Sequence, residues 1–335
     1  MTGTIGAFLN GHVWMAWITL LVSFAVLAKS ADMFVDASVA LAEKFRIPRL
    51  VIGIVLVSLA TTAPELSVSL TAALRGSPEM ALGNAIGSVI CDDGLALPLL
   101  AIISPAAIAV IPAVLNSSFL FLISMEVLAF AFVIGDHTLD RWEGAALLML
   151  FVVYMGVLFN KHKRGELTET LDIDELTDIE HASCTKMFSF FGIGLAGIVV
   201  SSQAIVLSAQ SVALSFGIPE GIVALTLVAL GTSIPEVATC VTAARKREGA
   251  VAVGNIIGAD VMNICWVAGA SAVANPLTLT GKELFFMFPS MFIIVGTMLV
   301  LLRTGYRLTR AKGLVLLSLY LLYLASFFAV FRPET

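Results

Sequence analysis

The chain has 335 residues, of which 59% are hydrophobic and only 13% charged, with a formal net charge of −5. A soluble domain carries about 25% charged residues, so this composition excludes an ordinary soluble protein. No basic cluster interleaves with aromatics, which excludes a nucleic-acid partner, and four cysteines scattered through apolar stretches and one loop exclude a disulfide framework.

Ten apolar blocks follow in chain order: 13–43, 50–74, 80–103, 114–134, 143–160, 187–214, 220–243, 250–273, 284–302 and 312–331. Each approaches or exceeds the length of about 20 residues that a bilayer requires. The first and sixth are longer than necessary and are expected to tilt. The first lacks a basic leader and a small-residue cleavage site, so it reads as a retained span. One polar segment, 161–186, holds seven acids (Glu166, Glu169, Asp172, Asp174, Glu175, Asp178 and Glu180) and separates five blocks from five. It lacks the ligand spacing of an EF-hand and reads as a solvated linker. The expected domains are therefore 1–160, the linker 161–186, and 187–335.

Lys and Arg set the orientation. With the first loop (Lys44, Arg46, Arg49) inside, alternation places 14 basic residues on the cytoplasmic side and 4 on the other. Both termini are then outside and the acidic linker inside.

The two halves are copies. A shift of 171 residues lays LVSLATTAPELSVSLTAA (56–73) on LVALGTSIPEVATCVTAA (227–244), and ALGNAIGSVICD (81–92) on AVGNIIGADVMN (252–263). From 56 to 93 there are 14 identities in 38 positions without a gap. Basic residues precede the Pro-Glu segment in the first copy and follow it (Arg245, Lys246, Arg247) in the second, so equivalent helices must cross the membrane in opposite senses. The expected fold is an all-α membrane protein of ten transmembrane helices in two inverted-topology five-helix repeats. Such repeats are typical of secondary transporters, with the substrate at mid-membrane between them.

Ser58, Thr61, Thr62 and Glu65 share one helical face, and their counterparts are Ala229, Thr232, Ser233 and Glu236. Pro64 and Pro235 cannot donate to the carbonyls of Ala60 and Gly231, so a kink is expected beside each glutamate. Asn84, Ser88 and Asp92 share a face of the next helix, as do Asn255, Ala259 and Asn263, with Asp260 three residues before Asn263. Gly83, Gly87, Gly254 and Gly258 would let these helices approach the Pro-Glu helices closely. Charge at mid-membrane costs at least about 2.5–3.5 kcal/mol, so two glutamates at equivalent positions point to function: an oxygen-rich pocket for hard cations.

Other polar residues carry weaker signals. Asp32 and Asp36 near Lys29 suggest a structural Lys–Asp contact; Glu126 is open between snorkelling and function; Asp93 points about 100° from Asp92 on a regular helix. His12, His137, His162 and His181 fall outside the spans, against a histidine proton relay.

Around Ala60-Thr61-Thr62-Ala63-Pro64-Glu65, Gly231-Thr232-Ser233-Ile234-Pro235-Glu236, Gly83-Asn84-Ala85-Ile86-Gly87-Ser88 and Gly254-Asn255-Ile256-Ile257-Gly258, the chain resembles the cation/calcium antiporter superfamily, and within it the prokaryotic sodium/calcium exchangers. The resemblance covers 30–103 and 201–273 closely. It implies an eight-helix core across which the first and sixth helices slide. It also implies a central cation held by Glu65, Glu236, Asp92 and Asn263, with flanking Na+ sites at Thr61, Thr62, Ser88, Thr232 and Ser233 and at backbone oxygens of Ser58 and Ala229. Three departures matter: Asp92 and Asn263 are exchanged relative to the usual Asn and Asp; Ala259 replaces a serine; Asp93 and Asp260 add carboxylates.

The expected activity is Ca2+/Na+ antiport by alternating access, with H+-coupled exchange of Ca2+ or another divalent ion as the alternative. The chain is expected to be no enzyme, to need no cofactor beyond its transported ions, and to work as a monomer in the plasma membrane. An intramembrane aspartyl protease using Asp92 and Asp260 leaves the duplicated Pro-Glu helices unexplained, and a passive channel would lack counter-ion dependence.

Overall fold

The computed structural model describes residues 13–45, 47–110, 112–164, 183–216 and 230–331. Ala229, His12, His181 and the seven acids of the linker lie outside them. The chain is almost wholly helical: α1 (Val13–Lys44), α2 (Gly53–Thr61), α3 (Ala63–Leu74), α4 (Pro78–Ile103), α5 (Pro112–Val133), α6 (Arg141–Lys163), α7 (Cys184–Ser215), α8 (Ile234–Arg245), α9 (Gly249–Ala274), α10 (Gly281–Arg303) and α11 (Arg310–Val330).

Seven of these (α1, α4, α6, α7, α9, α10, α11) are long and apolar enough to cross a membrane, and the α2/α3 pair, bent by 48°, makes an eighth. α5 occupies the fourth apolar block, and the seventh block is described only from Leu230. In the hydrocarbon layer every backbone group must be satisfied internally, which is why the apolar blocks become helices.

The polar helices are inside and the apolar ones outside. α4 and α9, which carry the Asn-Gly motifs, are the most enclosed; α6 and α11 are the most exposed. Large apolar side chains such as Trp142, Met149, Val152, Leu321 and Leu322 face outward, as suits a surface turned to a bilayer. α1 and α7 lie along each other more extensively than any other pair of helices. Gly194 and Gly197 make that approach close: a Cβ on Gly194 would come within 2.9 Å of the Phe34 backbone, and one on Gly197 would overlap Ser30 Oγ.

Contacts within the bundle come in reciprocal pairs. Two short antiparallel ladders join the loops: β1 (Ile108–Ala109) pairs with β4 (Arg307–Leu308), and β2 (Thr138–Leu139) with β3 (Leu277–Thr278). On α6, a Cβ at Gly144 would lie 2.7 Å from both Ala272 Cβ and Gly269 O of α9; on α11, one at Gly313 would lie 2.7 Å from Ala101 Cβ and 3.1 Å from Pro98 O of α4. Ala272 and Gly269 stand 171 residues after Ala101 and Pro98.

The loops sort into two ends. Arg49 pairs with Glu43 at 2.6 Å and with Glu248 at 2.9 Å, and Gly249 lies against Ile108 of β1. This end therefore gathers the loops after α1, α4, α8 and α10. At the opposite end Asn275 Nδ2 donates to Ala73 O at 3.0 Å and Thr278 Oγ1 to Glu79 Oε1 at 3.1 Å, beside the β2–β3 ladder.

Asp32 and Asp36 are not arranged around Lys29 as expected. Lys246, from the loop after α8, lies 2.7 Å from Asp36 Oδ1 and 3.9 Å from Asp32 Oδ1. Proximity along one helix suggested Lys29, whereas tertiary packing supplies a cation from the other half.

Candidate functional site

The two Pro-Glu segments break in the same way. Thr62 (φ −81°, ψ −4°) and Ser233 (φ −86°, ψ 5°) are equivalent residues, and each stands at the N-cap position of the helix that follows without a side-chain capping bond. The break falls before the proline because a prolyl residue is tolerated in a first helical turn, where no N–H is needed. Glu65 and Glu236 thereby sit in the first turns of α3 and α8, where the positive end of the helix dipole favours an anion. Both are 1% exposed.

α4 and α9 each widen at the matching point. A π-turn begins at Asp92 (Asp92–Ala96) and another at Asn263 (Asn263–Ala268). Such turns often occur at functional sites. Asp93 lies in the first of them, and its side chain is fully buried.

α9 reaches this depth by extreme proximity to α2. A Cβ on Gly258 would overlap Ile54 O and lie 2.5 Å from Ser58 Oγ, and one on Gly53 would overlap Val251 O and lie 3.0 Å from Gly254 Cα. The expected close approach thus holds for Gly254 and Gly258. For Gly83 and Gly87 the matching partners fall within 217–229, outside the described residues.

Every sequence-predicted site residue except the undescribed Ala229 is buried. Glu65 interacts electrostatically with Glu236 and Asp92, and Asp92 with Glu236, across the two halves, while among the described residues no three acidic, histidine or cysteine side chains converge closely enough to hold a metal ion by themselves. Among the described residues, both oxygens of Glu65, Glu236 and Asp92 lack a hydrogen-bond partner, as do Thr62 Oγ1, Ser88 Oγ, Ser233 Oγ and Asn263 Oδ1. Buried polar atoms are almost always paired. A set of oxygens without donors, drawn from both repeats, fits hard cations bound as transported cargo. The hydroxyl of Ser58, by contrast, is used on the carbonyl of Ile54.

Asp260 is placed on a second group of acids. It lies beside Asp93, close enough to share a hydrogen bond when one of the two carries a proton, and it also interacts with Glu126 and Asp92. Glu126 is 0% exposed and does not snorkel. Neither the burial of Glu126 nor its nearness to Asp93 and Asp260 carried a local sequence signal.

Two hydrogen bonds that sequence reasoning did not assign cross between the halves. Thr61 Oγ1 donates to Asn255 Oδ1 at 3.1 Å, and Thr232 Oγ1 donates to Asn84 Oδ1 at 3.1 Å. The signal was present in the repeat: the residues of one bond stand 171 positions from their equivalents in the other.

A polytopic helical bundle with a buried, oxygen-rich acidic site at two broken helices is a membrane cation transporter in class. Comparison with known proteins defines the family: the sodium/calcium exchanger protein family matches residues 15–160 and 186–329, and the chain belongs to it. It is 28% identical to the sodium/calcium exchanger MaX1 of Methanosarcina acetivorans over 94% of this chain and 99% of that one. It is 34% identical to the inner membrane protein YrbG of Escherichia coli over 78% of this chain and 81% of that one. The solved structure of the sodium-calcium exchanger NCX_Mj, soaked with Na+ and Sr2+, superposes with a TM-score of 0.78 at 27% identity, covering 94% of this chain and 99% of that one.

Proposed function

We propose that the chain is a secondary antiporter that exchanges Ca2+ for Na+ across the plasma membrane by alternating access. The observation that carries this reading is the electrostatic proximity of Glu65, Glu236 and Asp92 from both halves, with none of their oxygens hydrogen-bonded among the described residues. Up to three negative charges suit one divalent ion or several monovalent ones competing for the same ligands. In this reading Glu65, Glu236, Asp92 and Asn263 hold the central ion. Thr61, Thr62, Ser88, Thr232, Ser233 and the backbone oxygens of Ser58 and Ala229 serve the flanking Na+ positions.

The site lies between ten spans arranged as two inverted repeats, 1–160 and 187–335, joined by the 161–186 linker. Support comes from reciprocity. Under a twofold axis in the membrane plane, the β1–β4 ladder at one end maps onto β3–β2 at the other. The Gly144 contact with α9 maps likewise onto the Gly313 contact with α4. The end gathering the loops after α1, α4, α8 and α10 is the basic one and faces the cytoplasm; both termini face out. Because one chain supplies both halves of the site, a monomer suffices.

A second reading, H+-coupled exchange of Ca2+ or another divalent ion, is favoured by one observation: Asp93, Asp260 and Glu126 form a further buried acidic group whose oxygens lack partners among the described residues. Buried carboxyl groups without counter-charge must be neutralised by a cation or by protons. Radiocalcium uptake into proteoliposomes separates the two, with an outward Na+ gradient compared to an outward H+ gradient at matched voltage. Uptake driven by Na+ is the expected result; uptake driven only by H+ replaces the first reading with the second.

A further inference from the structure

We infer that Asn84 and Asn255 are positioning residues that hold the hydroxyl groups of Thr232 and Thr61 with their lone pairs open to the transported cation, and that the Asn255 half is the weaker of the two. The inference rests on the cation-exchange reading above.

A threonine hydroxyl has one proton and two lone pairs. If the proton is given to an amide oxygen, both lone pairs remain for a cation. If the amide is turned end for end, its NH2 group donates to the hydroxyl instead; one lone pair is consumed and a positive hydrogen faces the ion. The orientation of each asparagine therefore decides how good a ligand its threonine is.

The two halves fix that orientation differently. Asn84 accepts from Thr232 while its Nδ2 donates to Ser69 Oγ at 2.9 Å, with the carbonyl of Glu65 at 3.5 Å. Turning it over would set Oδ1 against the carbonyl oxygen of Glu65 and oblige Ser69 Oγ to donate where it now accepts. Asn255 accepts from Thr61, but its Nδ2 has no hydrogen-bond partner among the described residues. The residue equivalent to Ser69 is Cys240, buried and free, and a thiol is a weak acceptor. Among the described residues no acceptor holds the Asn255 amide against that turn. Thr61 is also a hydroxyl neighbour of the Glu236 carboxylate, so a turned Asn255 would divert its proton onto a central ligand.

The test is Na+-driven radiocalcium uptake in proteoliposomes, reading the half-saturating Na+ concentration of Thr61→Val, Asn255→Leu, their double variant, Ser69→Ala and Cys240→Ser. One neutral hydrogen bond is worth about 1 kcal/mol, or roughly a fivefold change. Asn255→Leu should raise the half-saturating Na+ by about that factor, and the double variant should be no worse than Thr61→Val alone, because the asparagine acts only through the threonine. Ser69→Ala should weaken Na+ use and Cys240→Ser strengthen it. Multiplicative effects in the double variant would overturn the positioning role, and an unchanged Cys240→Ser would overturn the asymmetry. If wild-type protein shows no Na+-driven uptake, the exchange reading fails by itself. The same variants are then ranked by protection from thermal unfolding by Na+ and by Ca2+ in detergent: the same non-additive order upholds the positioning role, and a different order refutes it.

Discussion

Glu65→Gln and Glu236→Gln each remove one charge while keeping the size of the side chain and one carbonyl oxygen. Both glutamates are 1% exposed, and among the described residues neither has its oxygens hydrogen-bonded, so the charge faces a bound ion. At an effective dielectric constant near 20, two unit charges about 4 Å apart interact by about 4 kcal/mol; Ca2+ loses about twice this and Na+ about this amount. Relief of repulsion with the two remaining carboxyl groups returns part of it. If about half survives, Ca2+ binding falls close to a thousandfold and Na+ binding about thirtyfold. Each variant should thus abolish radiocalcium uptake at micromolar Ca2+ while retaining weak Na+-dependent thermal stabilisation. Without ions, each should melt at or above the wild-type temperature, since an unpaired buried charge has been removed. Undiminished uptake in both variants, or equal losses for the two ions, would refute the assignment.

Gly258→Ala pushes a Cβ into Ile54 O and Ser58 Oγ; overpacking of this kind costs about 1–3 kcal/mol and should lower the melting temperature in detergent, together with transport. Gly144→Ala and Gly313→Ala probe equivalent crossings and should destabilise by similar amounts; a large loss in one and none in the other would argue against the twofold relation. Thr280→Ala removes a capping box in which Thr280 Oγ1 accepts from the Glu283 N–H at 3.2 Å and Glu283 Oε2 accepts from the Thr280 N–H at 2.9 Å; it should cost about 1 kcal/mol of stability and leave the half-saturating ion concentrations unchanged. Lys246→Met breaks the pairs to Asp36 and Asp32, whose side chains are a quarter to a half exposed; at such exposure the loss should stay below about 1 kcal/mol and shrink with salt, as melting curves at two ionic strengths will show.

What could be read in the sequence was whatever repeats or has a fixed period. The apolar blocks became helices because a membrane leaves the backbone no other choice, and the breaks at Thr62 and Ser233 follow from Pro64 and Pro235. The two central glutamates were found because the repeat names that position twice. The π-turns at Asp92 and Asn263 were not legible: their residues suit an ordinary α-helix, and the wider turn shows itself only where helices pack. Glu126 gave no sign of joining Asp93 and Asp260, since that contact depends on how α5 meets the site. The partner of Asp36 was assigned to the nearest lysine in sequence and proved to be Lys246, because an ion pair between halves has no local signature.

The duplicated architecture also explains where the two halves are free to differ. Geometry that closes the bundle is kept in both: the breaks, the π-turns, and the glycine crossings at Gly144 and Gly313 recur because either half would fail to pack without them. Chemistry need not be duplicated, because both halves face one ion. A carboxylate at Asp92 serves with an amide at Asn263, just as Ser69 stands opposite Cys240 and Ser88 opposite Ala259. Each unmatched pair makes the site unlike its own mirror image. In an inverted repeat the two faces of the site alternate in opening to opposite sides of the membrane, so such asymmetry gives an ion different ligands at entry and at exit. Exchanging the pair, as Asp92→Asn with Asn263→Asp, keeps the charge and moves it across the axis. Near-wild-type total Ca2+ affinity with a changed ratio of apparent affinities on the two sides of the vesicle is the expected outcome. An unchanged ratio would mean that the asymmetry of charge has no part in directing transport.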